Sequence, residues 1–233
     1  MKTLGILCAL DKEADILISR LSFDNIQKIG NINFHFGSIN GNNVIICVCG
    51  IGKVNAAVST QILINNFEVD CILNSGIAGA LSNDLNILDL VISTELVQHD
   101  LILDDHTLEG RVKVIQDNKS VADSELISIL KKAANLTLVT TEHNHYDGII
   151  ATGDQFIASR DTKDEILNLT NALCVEMEGA AIAKTCELNN IPCVVLRIIS
   201  DKADDSASMT YEDFAESAAK LSSIIAMQFI ELL

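Results

Sequence analysis

The fold is decided by two neighbouring stretches, Cys174-Val-Glu-Met-Glu-Gly-Ala-Ala-Ile-Ala-Lys-Thr-Cys186 and Cys193-Val-Val-Leu-Arg-Ile-Ile-Ser-Asp201. Their pattern predicts a short strand, a helix of small residues and a second strand apolar enough to be buried in a sheet. Charged groups are costly in such surroundings unless they are paired or functional. The charged residues of these stretches therefore mark a candidate site at strand ends, and they include Glu176, Glu178, Arg197 and Asp201.

Apolar runs alternate with amphipathic segments along the rest of the chain. Strands are predicted at 3–10, 33–39, 43–49, from 71, at 88–97, 136–140 and 148–156, with a hairpin turn at Asn40-Gly41. Helices are predicted from 11, at 53–67, 121–135, 161–169 and 211–233, and a loop at 101–120. We therefore expect an α/β fold, with a mixed central β-sheet flanked by helices on both faces, in a single domain of residues 1–233.

The charge composition of the chain limits the classes of molecule that it is expected to bind. The chain has 16 Lys and Arg against 32 Asp and Glu, a formal charge of −16 that repels nucleic-acid backbones and anionic membranes. We expect neither as a partner, and no segment approaches the ~20 apolar residues of a membrane-spanning helix. The seven cysteines are odd in number, lack a CxxC pair and lie mostly in apolar runs, which predicts buried reduced thiols and a cytoplasmic location.

The glycine and histidine patterns give no specific cofactor signal. Gly50-Ile-Gly52 begins like a dinucleotide fingerprint, but Asn55 stands where the third glycine belongs. No segment matches the phosphate loop of nucleoside triphosphate enzymes. One stretch contains a cluster of histidines and acids: His99, Asp100, Asp104, Asp105 and His106. Its acidic composition favours a solvated loop over a metal site.

Three carboxylates carry the functional prediction. Glu13, Glu178 and Asp201 each follow an apolar strand near a glycine turn, where an unpaired ionised acid is costly. Taken singly, each could cap a helix or pair with Arg197. Together they favour a catalytic site, because paired carboxylates suit glycosyl transfer: one protonates the leaving group while another activates water.

Five ordered motifs spanning nearly the whole chain resemble those of 5′-methylthioadenosine/S-adenosylhomocysteine nucleosidases. They are Gly5-Ile-Leu-Cys-Ala-Leu-Asp-Lys-Glu13, Gly50-Ile-Gly52-Lys-Val-Asn-Ala-Ala, Gly153-Asp154-Gln155-Phe156, Val175-Glu-Met-Glu178-Gly-Ala and Arg197-Ile-Ile-Ser200-Asp201. The resemblance implies the nucleoside phosphorylase fold, a homodimer, and hydrolysis of the bond between adenine and ribose without metal or other cofactor. It also implies a place in methionine salvage and nucleoside catabolism.

The resemblance also implies roles for individual residues. Asp201 would protonate the purine, Glu13 would activate water, Glu178 would hold the ribose hydroxyls, and Arg197 would lie near the water and Glu178. Phe156 would stack on adenine, the main chain of Ile157 would read its edge, Met177 would pack on the sugar, and Ser200 would orient the base and Asp201. The remaining expected substrate contacts are Leu10, Ile51, Ile77, Ala78, Gly79, Val175 and Glu176.

Three positions depart from the family pattern. Ile77 replaces a frequent serine, so a polar contact there is lost or supplied by the backbone. Leu10 replaces a frequent methionine near the pocket for the 5′ substituent, and the segment after Asp100 lacks the Phe-Gly and Pro-rich sequence that usually lines that pocket. The implied substrates are 5′-methylthioadenosine and S-adenosylhomocysteine, with 6-amino-6-deoxyfutalosine as a further one. Two alternatives stay open: a phosphorylase of the same fold, although no arginine occurs between Arg20 and Arg111, and a catalytically silent adenine-nucleoside sensor.

Overall fold

A computed structural model describes residues 2–23, 25–101 and 119–233. Its strands are β1 (Thr3–Cys8), β2 (Asn25–Ile29), β3 (Ile32–Ile39), β4 (Asn42–Val48), β5 (Cys71–Ala80), β6 (Leu90–Gln98), β7 (Lys119–Val121), β8 (His145–Thr152), β9 (Cys174–Glu176) and β10 (Cys193–Asp201). Its helices are α1 (Asp11–Ile18), α2 (Lys53–Phe67), α3 (Ser124–Leu138), α4 (Arg160–Thr170), α5 (Gly179–Leu188) and α6 (Ala207–Leu232). Of the loop predicted at 101–120, residues 102–118 lie outside the described residues.

The strands join one mixed sheet. Five of the described strands close a ring, in which β10 pairs with β6, β6 with β8, β8 with β9, β9 with β5, and β5 again with β10. From β5 the sheet continues through β1 and β4 to the antiparallel strands β3 and β2. Because β1, β4, β5 and β10 run parallel, their carboxyl ends meet at one edge, where α/β proteins bind ligands.

Helices cover both faces of this sheet, as predicted. Along β10, Val194, Leu196 and Ile198 face a core shared with α1, α3 and α6, whereas Val195 and Ile199 face a core shared with α2 and α5. This alternation follows from the two-residue period of a strand. All seven cysteines are buried and free, which confirms their predicted packing role.

Two predicted elements differ from the structure, and one strand was not predicted. The strand predicted at 136–140 is wrong, because α3 continues to Leu138 and buries Leu130, Ala134 and Leu138 along one helical face. The same helix begins at Ser124, after the Asp123 carboxylate accepts the Leu126 N–H at 2.9 Å. Strand β2 was not predicted, since it lies exposed at the sheet edge and carries little apolar pattern.

One strand and one helix also extend further in the structure than the sequence predicts. Strand β5, predicted from 71, runs on through the small residues Gly76-Ile-Ala-Gly79-Ala80, because these residues pair with β10 and β9. Helix α6 begins at Ala207, four residues before the predicted start at 211. Across the described residues, no helix combines the length and apolar character needed to cross a membrane.

Candidate active site

A cavity of about 530 Å³ opens at the edge where the parallel strands end. It brings together most residues predicted for the site: Leu10, Glu13, Ile51, Ile77, Ala78, Gly79, Phe156, Val175, Glu176, Met177, Glu178, Ser200 and Asp201. Ile157 lines a smaller adjoining cavity of about 40 Å³ that also touches Gly79, Phe156 and Asp201. Of the predicted set, Arg197 lines neither cavity.

Glu13 is presented by the first turn of α1, immediately after β1. One of its carboxylate oxygens accepts the N–H groups of Ala9 at 2.9 Å and Leu10 at 3.0 Å, and the other accepts the Ile77 N–H at 3.2 Å. Burial raises the pKa of this carboxyl above its ordinary value, opposed by the Arg197 charge and the three N–H donors. The backbone of Ile77 thus supplies a polar contact where its side chain cannot.

Asp201 ends strand β10 and is buried at the cavity wall. Its Oδ1 accepts the Ala203 N–H at 2.9 Å, and its Oδ2 lies 2.8 Å from the Ser200 hydroxyl, which donates to it. Burial raises the pKa of the Asp201 carboxyl, and these two hydrogen bonds act in the opposite direction by favouring the ionised form. A carboxyl group with a raised pKa can hold a proton for delivery to a ligand.

Glu178 precedes helix α5, lines the cavity and contacts the early glycine turn, Gly50-Ile51-Gly52. The Gly52 N–H donates to its Oε1 at 2.8 Å, and the Arg197 guanidinium lies 3.9 Å from its Oε2. Burial and the neighbouring Glu176 carboxylate raise the pKa of Glu178 to about 7, while Arg197 and the Gly52 N–H act to lower it. Gly50 and Gly52 both adopt positive φ, which explains why this turn contains glycine.

Glu176, which lines the cavity, forms a buried ion pair with Arg197, which does not line it. Glu176 also accepts the backbone N–H groups of Glu178 at 3.0 Å and Gly179 at 2.7 Å, so it caps the start of α5. Arg197 donates to Asn74 Oδ1 at 2.6 Å, and only 2% of the residue is exposed. The two structural roles considered for the predicted acids also occur among them, since Glu13 accepts the Leu10 N–H at the start of α1 and Glu178 lies 3.9 Å from Arg197. Glu176, which was not in that set, has both roles.

Residues that the sequence reasoning missed complete the wall and its support. Ser208, Tyr211 and Glu212 reach the cavity from α6, and their spacing of three and four residues is the signal that they share a helical face. Ala9 also lines the cavity. Behind it, Asn74 holds Arg197, and the Thr152 hydroxyl donates to Glu176 while accepting the Ala180 N–H at 2.8 Å.

The described wall is acidic. Five acidic residues and no lysine or arginine line the cavity among the residues that the structure describes; the acids are Glu13, Glu176, Glu178, Asp201 and Glu212. The Glu176 carboxylate is paired with Arg197. Such a wall disfavours anions and stabilises positive charge that develops on a ligand. Together with a buried acid that can hold a proton, it suits the departure of a leaving group from a cationic, oxocarbenium-like centre.

Comparison with protein families gives a match over residues 3–231 to the phosphorylase superfamily. The chain is 38% identical to a 5′-methylthioadenosine/S-adenosylhomocysteine nucleosidase of Staphylococcus carnosus, covering 99% of this chain and 100% of that protein. It is 36% identical to an aminodeoxyfutalosine nucleosidase of Helicobacter pylori, covering 95% of each.

Solved structures agree with these relatives. A methylthioadenosine/adenosylhomocysteine nucleosidase variant from Helicobacter pylori, with 5′-methylthioadenosine in its active site, superposes with a TM-score of 0.91 at 33% identity over 100% of both chains. The Neisseria meningitidis enzyme in complex with methylthio-immucillin-A gives 0.90 at 32% identity, also over 100% of both chains. The chain is therefore a member of the phosphorylase superfamily and, within it, of the 5′-methylthioadenosine/S-adenosylhomocysteine nucleosidases.

Proposed function

We propose that this protein hydrolyses the N-glycosidic bond of 5′-methylthioadenosine and S-adenosylhomocysteine and releases adenine. The observation that carries the proposal is the convergence of three buried carboxyl groups, Glu13, Glu178 and Asp201, on one cavity. Relatives that share its fold over the full chain are named for these two substrates, and one was solved with 5′-methylthioadenosine in its active site.

Asp201 acts as the general acid. A purine anion is a poor leaving group, so the bond breaks readily only when the ring gains a proton. Burial favours the protonated form of Asp201, and the Ser200 hydroxyl fixes the orientation of its carboxyl group. Adenine lies between this acid and Phe156, with the main chain of Ile157 in the adjoining small cavity at its edge.

Glu13 acts on the water, and Glu178 acts on the sugar. Three N–H groups hold the Glu13 carboxylate in one orientation, as a general base that must meet a water molecule requires. Glu178, aligned by the Gly52 N–H, accepts the ribose hydroxyls, with Met177 packed on the sugar. Both carboxylates stabilise the positive charge that grows on the ribose ring as adenine departs. Arg197 acts indirectly, by positioning Glu176 and Glu178.

Water is favoured over phosphate as the acceptor. A phosphorylase needs cationic or N–H donors for a dianion, and arginine is well suited to that task. The described cavity wall carries carboxyl groups and lacks lysine and arginine, which opposes phosphate binding.

We also infer a wider setting for the enzyme. One relative is named aminodeoxyfutalosine nucleosidase, which supports 6-amino-6-deoxyfutalosine as a further substrate. The single sheet supports one domain over 1–233, and the seven free, buried cysteines support a cytoplasmic location. Exposed apolar side chains beside the cavity support a homodimer, and they are Ile51, Val54 and Val58.

Adenine release tests the proposed reaction. The purified protein is incubated with 5′-methylthioadenosine or S-adenosylhomocysteine, and adenine is quantified by chromatography. The Glu13→Gln variant serves as the reference, because the substituted amide keeps the shape of the side chain without its basicity. Release at least ~100-fold faster by the wild type than by the variant supports hydrolysis. Equal, background release by both proteins contradicts it and favours a nucleoside sensor.

A further inference from the structure

The far end of the cavity from Asp201 carries a charge arrangement that the chemistry of the glycosidic bond does not use. We call the far end the part of the main cavity lined by Leu10, Ile51 and Tyr211, none of which lines the small cavity shared by Asp201 and Phe156. With adenine at Asp201, this far end receives the 5′ substituent of the nucleoside. Ser208 and Glu212 lie on the same face of α6 as Tyr211 and extend that end towards solvent.

Lys12 is held against this end by Tyr211. Its Nζ donates to the Tyr211 hydroxyl at 3.1 Å and lies 4.7 Å from the centroid of the Tyr211 ring. The ring is fixed from another side by Phe156, whose centroid is 5.7 Å away in an edge-to-face arrangement. Within the described residues Lys12 forms no ion pair with a carboxylate. Its charge is thus positioned but not neutralised by a described partner.

Because the described cavity wall is acidic, the positive charge of Lys12 is what favours the binding of 5′ substituents that carry a negative charge. The described lining is acidic and would repel a carboxylate that enters the cavity. Lys12 does not itself line the cavity, but its ammonium group, held against the lining residue Tyr211, offsets that repulsion. Glu212, one residue after Tyr211, lines the cavity and offers a carboxylate to a cation. A lysine bound to Tyr211 and a glutamate next to Tyr211 in the chain match the two charges of an α-amino acid.

We propose that Lys12 and Glu212 determine specificity for the 5′ substituent, Lys12 by pairing with a terminal carboxylate and Glu212 by pairing with a terminal ammonium group. The inference rests on the proposed nucleosidase function and adds that the site selects substituents ending in an amino-acid zwitterion over plain alkylthio groups. Both side chains are partly or fully exposed, so each pair contributes a modest, salt-sensitive preference.

Four 5′-thioadenosines with tails of equal length test this assignment: one ends in the amino acid, one in a carboxylate, one in an ammonium group and one in a methyl group. The readout is the ratio of kcat/KM for each charged tail to that for the methyl tail. Lys12→Met lowers the carboxylate ratio about threefold through KM, and Glu212→Gln lowers the ammonium ratio similarly. Lys12→Arg retains the preference, and added salt reduces it in the wild type.

Lys28→Met is the matched control, because it removes the same charge from the exposed strand β2. We expect it to leave every kcat/KM ratio unchanged. Unchanged ratios in Lys12→Met and Glu212→Gln, or equal changes in Lys28→Met, overturn the assignment. Failure of the proposed reaction looks different, since the wild type then releases adenine from none of the four compounds. Equilibrium binding of the four compounds to Glu13→Gln enzyme measures the same preferences without turnover.

Discussion

The backbone N–H of Gly52 donates to the Glu178 carboxylate at 2.8 Å, which joins two residues that lie 126 positions apart in the chain. Gly52 has φ 96° and ψ 161°, a conformation that side chains with a Cβ rarely adopt. A Cβ at this position would also lie 3.1 Å from Oδ1 of Asp154, which itself accepts the Lys53 N–H at 2.8 Å. The early glycine turn therefore orients the acid that we assign to the ribose.

Gly52→Ala is expected to weaken nucleoside binding. The added methyl group strains the turn and moves the N–H away from Glu178, and a hydrogen bond to a charged group contributes about 1.5 to 3 kcal/mol. We expect KM for 5′-methylthioadenosine to rise about tenfold or more, measured by steady-state adenine release. Gly41→Ala is the control, since Gly41 also has positive φ but lies in the β3–β4 turn with no atom near its added Cβ. An equal KM in both variants contradicts the assignment.

Ser200→Ala is expected to shift the pH profile upward. Asp201 must be protonated to act, so kcat/KM falls as pH rises through its folded-state pKa. The Ser200 hydroxyl donates to Asp201 and favours its ionised form, so its removal raises that pKa further. The midpoint of the alkaline limb should move up by about 1 to 2 pH units, the equivalent of a hydrogen bond to a charged group of about 1.5 to 3 kcal/mol. The exposed control Ser19→Ala should leave the midpoint in place. A midpoint that also stays in place in Ser200→Ala rules out the coupling between Ser200 and Asp201.

Glu178→Gln is expected to alter the pH dependence of stability. The folded-state pKa of Glu178, about 7, lies above the ~4.3 of an unfolded glutamate, so the folded state binds the extra proton. Stability is therefore lost as pH rises through this window, and the loss is complete above pH ~7.

The glutamine variant lacks this loss. Its free energy of unfolding, relative to the wild type, should increase by about 2 kcal/mol between pH ~5 and pH ~8 in urea titrations. Glu216→Gln removes an exposed carboxylate from α6 and controls for the change in net charge. A difference between wild type and Glu178→Gln that does not vary with pH would place the Glu178 pKa at its ordinary value.

Glu176→Gln is expected to destabilise the fold strongly. The change leaves the Arg197 guanidinium buried without its closest counter-charge and weakens the cap of α5. Breaking one side of a buried ion pair costs about 3 to 5 kcal/mol, measured here by chemical unfolding. Glu95→Gln breaks the surface pair with Lys119 and should cost less than about 1 kcal/mol. Similar small losses in both variants would show that the buried pair does not support the site.

Local sequence signals predicted the elements whose apolar pattern was strong. The strand at 193–201 and the small-residue helix before it were confirmed, because burial on both faces leaves a continuous apolar run. Strand β2 gave no such signal, since its exposed edge position buries little surface. The role of Glu176 was also invisible, because its partners Thr152 and Arg197 are brought to it only by the tertiary fold.

The same limit applies to the cavity. Glu13, Glu178 and Asp201 could be predicted, because acids after apolar strands are unusual and the parallel strands end together. For Tyr211 and Glu212, the spacing indicates a shared helical face, but the polar composition at the start of α6 does not distinguish a face that borders a cavity from an exposed helical turn. Only the packing of α6 across β5 and β10 places them at the far end of the cavity.

Identification of the sugar product tests the central claim most directly. The wild-type enzyme is given 5′-methylthioadenosine in buffer containing phosphate, and the products are resolved by mass spectrometry. Hydrolysis by Glu13 and Asp201 predicts adenine and free 5-methylthioribose in equal amounts, at a rate independent of phosphate. Adenine accompanied by 5-methylthioribose 1-phosphate, at a rate that rises with phosphate, would contradict the account.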